Sequence, residues 1–295
     1  MFGIGASYAS TIAAPMTEET PVALLTAQGT ELLTGSTGDR SSAVLDAQLL
    51  LAHALGLERW RLTANPELAV EPAQRARFRE LLERRRAGEP LAYLIGRREF
   101  WSLDLAVSPD VLVPRPETEL VVERALDLAI APVMRVADLG TGSGAIALAL
   151  ARERPRWQLL ATDASASALA VAQRNAQALG LAVEFRLGDW YTPLAAERFD
   201  LLLSNPPYVA ADDPALHVLR HEPRMALTPG ADALQCLRLL AHGAMQHLVP
   251  GGWLVLEHGA AQGAQLRDEL VLAGLRHVRS HRDLAGHERT TEGQR

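Results

Sequence analysis

The chemistry most directly readable in this chain lies in Asn205-Pro206-Pro207-Tyr208. These residues follow 199–204, an apolar run that reads as a buried strand. Each proline fixes φ at roughly −65°, lacks an N–H and restricts the residue before it. The carbonyls of Asn205 and Pro206 are therefore withheld from a continuing helix or a central strand. They stand beside an amide and a phenol ring. Such a set can grip a planar –NH2 group, with two oxygen acceptors for its two N–H donors and a π-face above it. Methyl transfer to an amide or amino nitrogen needs that grip. The same residues also read as a proline-rich turn that ends a strand.

A second constellation lies upstream. Residues 136–147 run from an apolar strand through a glycine loop into a helix start, with Asp138, Gly140, Thr141, Gly142, Ser143 and Gly144 at the centre. The glycines permit tight turning and close approach of the backbone to a ligand. Their spacing is G-x-G-x-G, not the G-x-G-x-x-G of dinucleotide binders, which favours a nucleoside-and-amino-acid ligand over a pyrophosphate. Asp163 ends the next strand, roughly twenty residues past the loop, where a carboxylate can hydrogen-bond ribose hydroxyls. It also suits the N-cap of the helix that follows. Asp189 and Trp190 follow the third strand. They offer an acceptor for an adenine amino group and a flat indole for the base, or else a polar loop with one exposed aromatic. Asp138 could set the loop through backbone N–H groups or receive a ligand ammonium. In this order, at the carboxyl ends of successive strands, the residues mark the crevice where open α/β sheets bind ligands.

These groups need a sheet to hold them. From Glu119 onward, strands at 134–139, 157–162, 182–186, 199–204, 251–257 and 275–280 alternate with helices at 119–130, 145–153, 165–179, 231–247 and 260–273. The order predicts an α/β fold, a parallel-rich sheet with helices on both faces. Residues 288–295 fall where a final edge strand belongs, although Thr290, Thr291 and Glu292 suit one poorly. Upstream, 21–88 reads as helices. Apolar spacing over 43–55 stops at Gly56, and a charged amphipathic helix runs from Pro72 to Arg86. Arg84-Arg85-Arg86 suits a negative helix end, with contact to an acidic partner such as the ribosome or RNA as the alternative. Residues 91–105 alternate enough to predict a β-hairpin. The expected organisation is a disordered leader over 1–20, a helical domain over 21–88, a hairpin-and-loop connector over 89–118 and a catalytic domain over 119–295.

Composition limits the classes open to the chain. Of 295 residues, 48% are apolar and 22% charged, an ordinary globular balance. The net charge of −6 disfavours a long nucleic-acid track. The single cysteine, Cys236, can form no internal disulfide and is expected to be a buried inert thiol. No Cys/His cluster has zinc spacing, so no metal is expected. No apolar run reaches the ~18 residues of a membrane span. Residues 1–15 lack the basic start and apolar core of a signal peptide. They read as a disordered leader, or as an upstream start with Met16 the true first residue. A cytoplasmic monomer is the expectation. His53 and His258 lie in apolar contexts that suit structural histidines, and no Ser/His/Asp triad is legible.

Glycine loop, strand-end acid, Asp-Trp and Asn-Pro-Pro-Tyr in this order resemble the class I S-adenosylmethionine-dependent methyltransferases. The stretches beginning at Asp46, Arg84, Gly96 and Val113, with His221-Glu222-Pro223 and Leu256-Glu257-His258-Gly259, resemble the peptide-chain release factor glutamine methyltransferases (the HemK/PrmC family) over roughly residues 20–290. The resemblance implies a Rossmann-like doubly wound sheet with a small N-terminal helical domain. It implies methyl transfer from S-adenosyl-L-methionine to the glutamine amide of the Gly-Gly-Gln motif of class 1 release factors, in translation termination. It further implies that Gly140 to Gly144 hold the methionine part of the cofactor, Asp163 its ribose, and Asp189 with Trp190 its adenine edge. Asn205 and Pro206 would bind the glutamine amide, Pro207 and Tyr208 would complete that grip, and Phe100 with the Arg115–Glu119 loop would sit near the cofactor. The helical domain is the expected release-factor docking surface.

Three other readings stay open. Asn-Pro-Pro-Tyr would also grip the amino group of a nucleic-acid base. A DNA enzyme, however, needs base flipping and usually a separate recognition region, and DNA is not expected as a partner. A glutamine methyltransferase for a ribosomal protein shares much of the architecture. A non-catalytic binding module would have no use for an amide clamp.

Overall fold

The computed structural model describes residues 20–37, 39–128 and 131–295. Apart from Thr20, the expected leader with its Met16 start lies outside the described residues, as do the last two positions of the helix expected over 119–130. The chain divides into two compact units, Met1–Ile95 and Gly96–Arg295.

The first unit holds β1 (Thr20–Pro21), α1 (Val22–Thr37), α2 (Arg40–Leu55), α3 (Arg59–Ala64), β2 (Ala69–Val70), α4 (Pro72–Arg86) and α5 (Leu91–Ile95). The Asp39 carboxylate caps α2 by accepting the N–H groups of Ser41 and Ser42, and Gly56 in the left-handed region ends it. Leu33, Leu50, Leu51 and Phe78 form the core. The arginine run is a tied helix end. Arg84 pairs with Glu89 at 2.6 Å, Arg85 with Asp46 at 2.7 Å and Arg86 with Glu83 at 2.6 Å. Residues 91–95 form α5 rather than the first arm of a hairpin. Pro90 starts that turn by accepting the Tyr93 N–H, and Leu94 joins the helical core.

The second unit opens with the hairpin β3 (Arg97–Phe100) and β4 (Leu103–Ala106). Its turn places Trp101 and Ser102 at φ +51° and +55°, the twist a two-residue hairpin needs but non-glycine residues rarely adopt. Carboxylates hold it: Trp101 N–H donates to Glu119 Oε1 at 2.9 Å and Ser102 N–H to Glu99 Oε1 at 2.6 Å. A single turn over Pro116–Thr118 precedes α6 (Glu119–Asp127), β5 (Arg135–Leu139), α7 (Ala145–Glu153), β6 (Gln158–Asp163), α8 (Ala166–Leu179), β7 (Glu184–Leu187) and β8 (Phe199–Ser204). After them come α9 (Ala215–Val218), α10 (Gln235–His247), β9 (Leu248–Glu257), α11 (Gly263–Leu272), β10 (Arg276–Arg282) and β11 (Glu288–Gln294).

Among the described residues the main sheet has the order β10-β11-β9-β8-β5-β6-β7. β5 to β9 run parallel. Alternation along β8 sends Leu201 and Leu203 to one face, with Leu148 and Leu150, and Leu202 to the other, with Leu240 and Leu266. Chain order reverses between β5 and β8, the switch point at which doubly wound sheets bind ligands. There Ser204 Oγ donates to the Leu139 carbonyl at 2.6 Å and ties the two strand ends together.

The last strand departs from expectation. β11 is not an edge strand. It runs antiparallel between β9 and β10, and Thr290, Thr291 and Glu292 are fully buried. Backbone pairing on both sides and side-chain partners outweigh the poor strand propensity. Glu292 meets Arg124 of α6 at 3.0 Å and His281 at 3.1 Å. Thr291 Oγ1 lies 2.8 Å from His258 Nε2 and 2.7 Å from Ser280 Oγ. Among the described residues no helix is long and apolar enough to cross a membrane.

Candidate active site

The crevice begins where β5 ends. Gly140 turns at φ +76°, and a Cβ there would lie 3.2 Å from Trp190 Cζ3. Gly144 starts α7 at φ +87°, and a Cβ there would meet Leu148 and Ala172 at 3.0 and 3.2 Å. Both positions need glycine, for backbone conformation and for space. Asn175 of α8 braces the loop from behind. Its Nδ2 donates to the Ser143 carbonyl at 2.9 Å and the Ala106 carbonyl at 3.0 Å, and its Oδ1 accepts the Ala106 N–H at 2.8 Å. The glycine loop, α8 and β4 are thereby locked together.

Asp138 is fully buried at the root of the loop. Its Oδ2 accepts the Thr141 hydroxyl at 2.6 Å, while Oδ1 has no partner among the described residues. Burial pushes its pKa up to about 7, against the Thr141 hydrogen bond. Asp163 ends β6 beside the loop. Oδ2 accepts the Gly142 N–H at 2.9 Å and Oδ1 the Ser165 N–H at 2.8 Å. Burial raises its pKa, and those two N–H groups oppose the rise. Each oxygen keeps a lone pair for a further donor. The N-cap of α8 itself is Ser165, whose Oγ accepts the Ala168 N–H.

A crevice of about 310 Å³ opens here, lined by the glycine loop, Asp163, Asp189, Trp190, Asn205 and Pro207 among others. That volume falls in the range of small-molecule sites. Thr118, Arg115 and Cys236 also line it. Cys236 is half-buried, and burial, then the Asp189 charge, pushes its thiol pKa up. The thiol therefore stays protonated, as expected, though at the crevice wall and not in the core.

At the other side stands the elbow. Asn205 Nδ2 donates to Thr118 Oγ1 at 3.1 Å. Among the described residues no protein donor reaches Asn205 Oδ1 or the Pro206 carbonyl. Pro206 is buried, and neither it nor Tyr208 lines the crevice. Tyr208 instead donates its hydroxyl to Glu257 Oε1 at 3.1 Å, and its backbone carbonyl accepts Gln262 Nε2 at 3.0 Å. Burial, then the Glu257 charge, pushes the phenol pKa upward.

Two expected neighbours lie elsewhere. Phe100, at the inward end of β3, is fully buried in the core with Leu103 and Leu105 and does not line the crevice. Glu119 is engaged on the hairpin turn at Trp101. Other residues were not singled out from sequence. Glu222 accepts the Val113 N–H at 3.0 Å and pairs with Arg115 at 2.5 Å, fastening the crevice-lining loop that carries Arg115. The only hint was its place between His221 and Pro223. Glu257, a carboxylate ending an apolar strand beside the site, carried a similar hint.

The fold is shared with a methyltransferase from Pyrococcus furiosus, at a TM-score of 0.51 and 18% identity over 65% of this chain and 88% of that one. A family model described as "Methyltransferase small domain" matches residues 118–234, and one described as "PrmC N-terminal domain" matches residues 25–96. Sheet order and family match together define a methyltransferase of class I architecture. The release factor glutamine methyltransferase of Xylella fastidiosa (strain 9a5c) is 52% identical over 278 residues, covering 93% of this chain and 98% of its own. That of Pseudomonas aeruginosa is 47% identical, covering 87% of this chain and 94% of its own. The chain belongs to the release factor glutamine methyltransferase family.

Proposed function

We propose that this chain transfers a methyl group from S-adenosyl-L-methionine to the side-chain amide nitrogen of the glutamine in the Gly-Gly-Gln motif of class 1 peptide-chain release factors. The observation that carries the reading is the state of the elbow. Thr118 occupies the donor end of the Asn205 amide, and in this crevice-lining residue Oδ1 has no protein donor among the described residues.

The residues present fit the cofactor. The loop turns at Gly140 in the left-handed region, where a Cβ would press on Trp190 at 3.2 Å. The orphaned Asp138 Oδ1 at its root is an acceptor in want of a donor, which an ammonium would supply. Asp163 would take the ribose hydroxyls, and Asp189 with Trp190 the adenine. When bound, the cofactor supplies a methyl group already activated on a sulfonium.

What remains for the protein is to aim a poor nucleophile. An amide nitrogen shares its lone pair with its carbonyl. Asn205 Oδ1 and the Pro206 carbonyl would accept its two N–H groups and fix its direction. Such positioning is worth up to ~7–11 kcal/mol in favourable cases. The same oxygens favour positive charge growing on nitrogen. Tyr208 keeps its proton, since burial and the Glu257 charge raise its pKa. Its hydroxyl is committed to Glu257, so it serves no proton abstraction.

The helical unit is the proposed docking surface for the release factor, and the enzyme is proposed to act as a cytoplasmic monomer. The test offers the labelled cofactor with a release factor, a ribosomal protein, tRNA and DNA in separate reactions. Label on the release factor alone is expected, and label on a nucleic acid alone would overturn the reading.

A further inference from the structure

We infer that Thr118, steered by the buried Glu257 carboxylate, decides which end of the Asn205 amide faces the crevice. The inference rests on the proposed role of Asn205 and adds positioning residues to it.

The two ends of a side-chain amide have nearly the same shape, so the partner of one end sets the direction of the other. Asn205 Nδ2 lies 3.1 Å from Thr118 Oγ1. A hydroxyl has one hydrogen to give. If Thr118 accepts from Asn205, its own hydrogen must go to a different acceptor. Glu257 supplies that acceptor. It ends β9, is fully buried, and takes the Tyr208 hydroxyl on Oε1 at 3.1 Å. The Thr118 hydroxyl lies close enough to the same carboxylate to favour its charged form. Oε2 has no close partner among the described residues. A charged Glu257 thus draws the Thr118 hydrogen toward itself, Thr118 accepts from Nδ2, and Oδ1 is presented to the crevice.

A protonated Glu257 reverses the chain. It can donate to Thr118, whose hydrogen then turns to Asn205 and takes the Oδ1 end. Nδ2 would then face a substrate amide nitrogen, donor against donor. The groups around Glu257 poise it between these states. Burial pushes its pKa up to about 7 and Glu117 adds to the rise, while the Thr118 and Tyr208 hydroxyls and the Arg289 charge oppose it. The backbone is held independently: Gln262 takes the Gly259 N–H on Oε1 at 2.8 Å and gives Nε2 to the Tyr208 carbonyl at 3.0 Å. Relay variants therefore leave the backbone of the elbow in place, and Glu257→Gln keeps an oxygen to accept the Tyr208 hydroxyl.

Two readouts test this in the full-length protein. The first follows kcat for a release factor against pH in the wild type and in Glu257→Gln, Thr118→Val and Thr118→Ser. Loss of one oriented hydrogen bond should lower kcat about 10- to 100-fold in Thr118→Val. Thr118→Ser should keep kcat within about threefold, since the hydroxyl is restored. The wild type should lose activity in acid with a midpoint near 7, and Glu257→Gln should lose that limb. The second readout is the nitrogen-15 and proton signals of the Asn205 side chain, assigned by their loss in Asn205→Ala and recorded with no substrate. They should titrate with the same midpoint in the wild type and stand still in Glu257→Gln and Thr118→Val. Signals that ignore pH in the wild type, or titrate unchanged in either variant, overturn the relay. The second readout decides the relay even where no release factor is methylated, an outcome that would instead remove the reading of function.

Discussion

Arg124 of α6 and Glu292 of β11 form a buried ion pair, with Nε 3.0 Å from Oε2. Glu292 is fully enclosed, and Arg124 also holds Asp127 at 2.7 Å. The pair fixes α6 to the sheet and lets a polar strand lie between two others. Burial works against the Glu292 charge, but hydrogen bonds from Arg124 and Arg279 outweigh it and hold the pKa below the ordinary glutamate value.

Glu292→Ala should therefore destabilise the protein by on the order of 3 kcal/mol at neutral pH, because Arg124 keeps its charge in a partly closed site. A lowered folded pKa gives stability above the unfolded value of about 4.5 that is lost as pH falls through the folded one. The gap between wild type and variant, read by chemical denaturation, should close in acid. A constant gap from neutral pH into acid would show that the charge is not what stabilises.

Asn175 carries hydrogen bonds to both Ala106 and Ser143. Asn175→Ala would strand the buried Ser143 carbonyl and the part-buried N–H and carbonyl of Ala106, and each unsatisfied buried group costs about 1–3 kcal/mol before water or relaxation compensates. A net loss of about 2–3 kcal/mol is expected, together with weaker cofactor binding by calorimetry because the Ser143 carbonyl loses its brace. Unchanged affinity would separate the brace from the site.

Gly140→Ala should leave the fold intact and weaken cofactor binding at least about tenfold. The left-handed conformation costs an L-residue about 1–2 kcal/mol, and the methyl would press on Trp190 at 3.2 Å. Binding at the wild-type affinity would argue that the ligand approaches elsewhere.

Asp138 and Glu257 act on stability in the opposite sense from Glu292. Burial raises both pKa values to about 7, from 3.8 and 4.5. In that window the folded state holds protons that the unfolded state releases. Their contribution is complete below the unfolded values and is lost as pH rises to about 7. Asp138→Asn should therefore gain thermal stability relative to wild type as pH increases from about 4 to about 7 and level off above, measured without added ligand. A gap that narrows over that window would contradict a buried, proton-holding Asp138.

The glycine loop, Asp163 and the parallel core were legible in the sequence because their signals are local. Gly140 and Gly144 mark positive φ, and Asp163 ends an apolar run. β11 was misplaced because what makes it tolerable is distant. Arg124 lies far upstream in the chain, and only the fold brings it to Glu292. The family resemblance placed Phe100 near the cofactor, yet it is the one buried residue of β3 and packs in the core with Leu103 and Leu105. The hairpin was read too long, since a short amphipathic run after Pro90 fits a helical turn as well as a strand. The Arg115–Glu119 loop was expected near the cofactor, but the tie between its Thr118 and Asn205 was not legible, because the two arrive from distant parts of the chain.

The central claim is that oxygens at Asn205 and Pro206 catch and aim a glutamine amide. Mass spectrometry of a release factor, after incubation with the cofactor and either wild type or Asn205→Ala, tests it most directly. The expected result is one methyl group on the glutamine of Gly-Gly-Gln with wild type, and none with the variant although its cofactor affinity is kept. Methylation of that glutamine by Asn205→Ala at the wild-type rate would contradict the account.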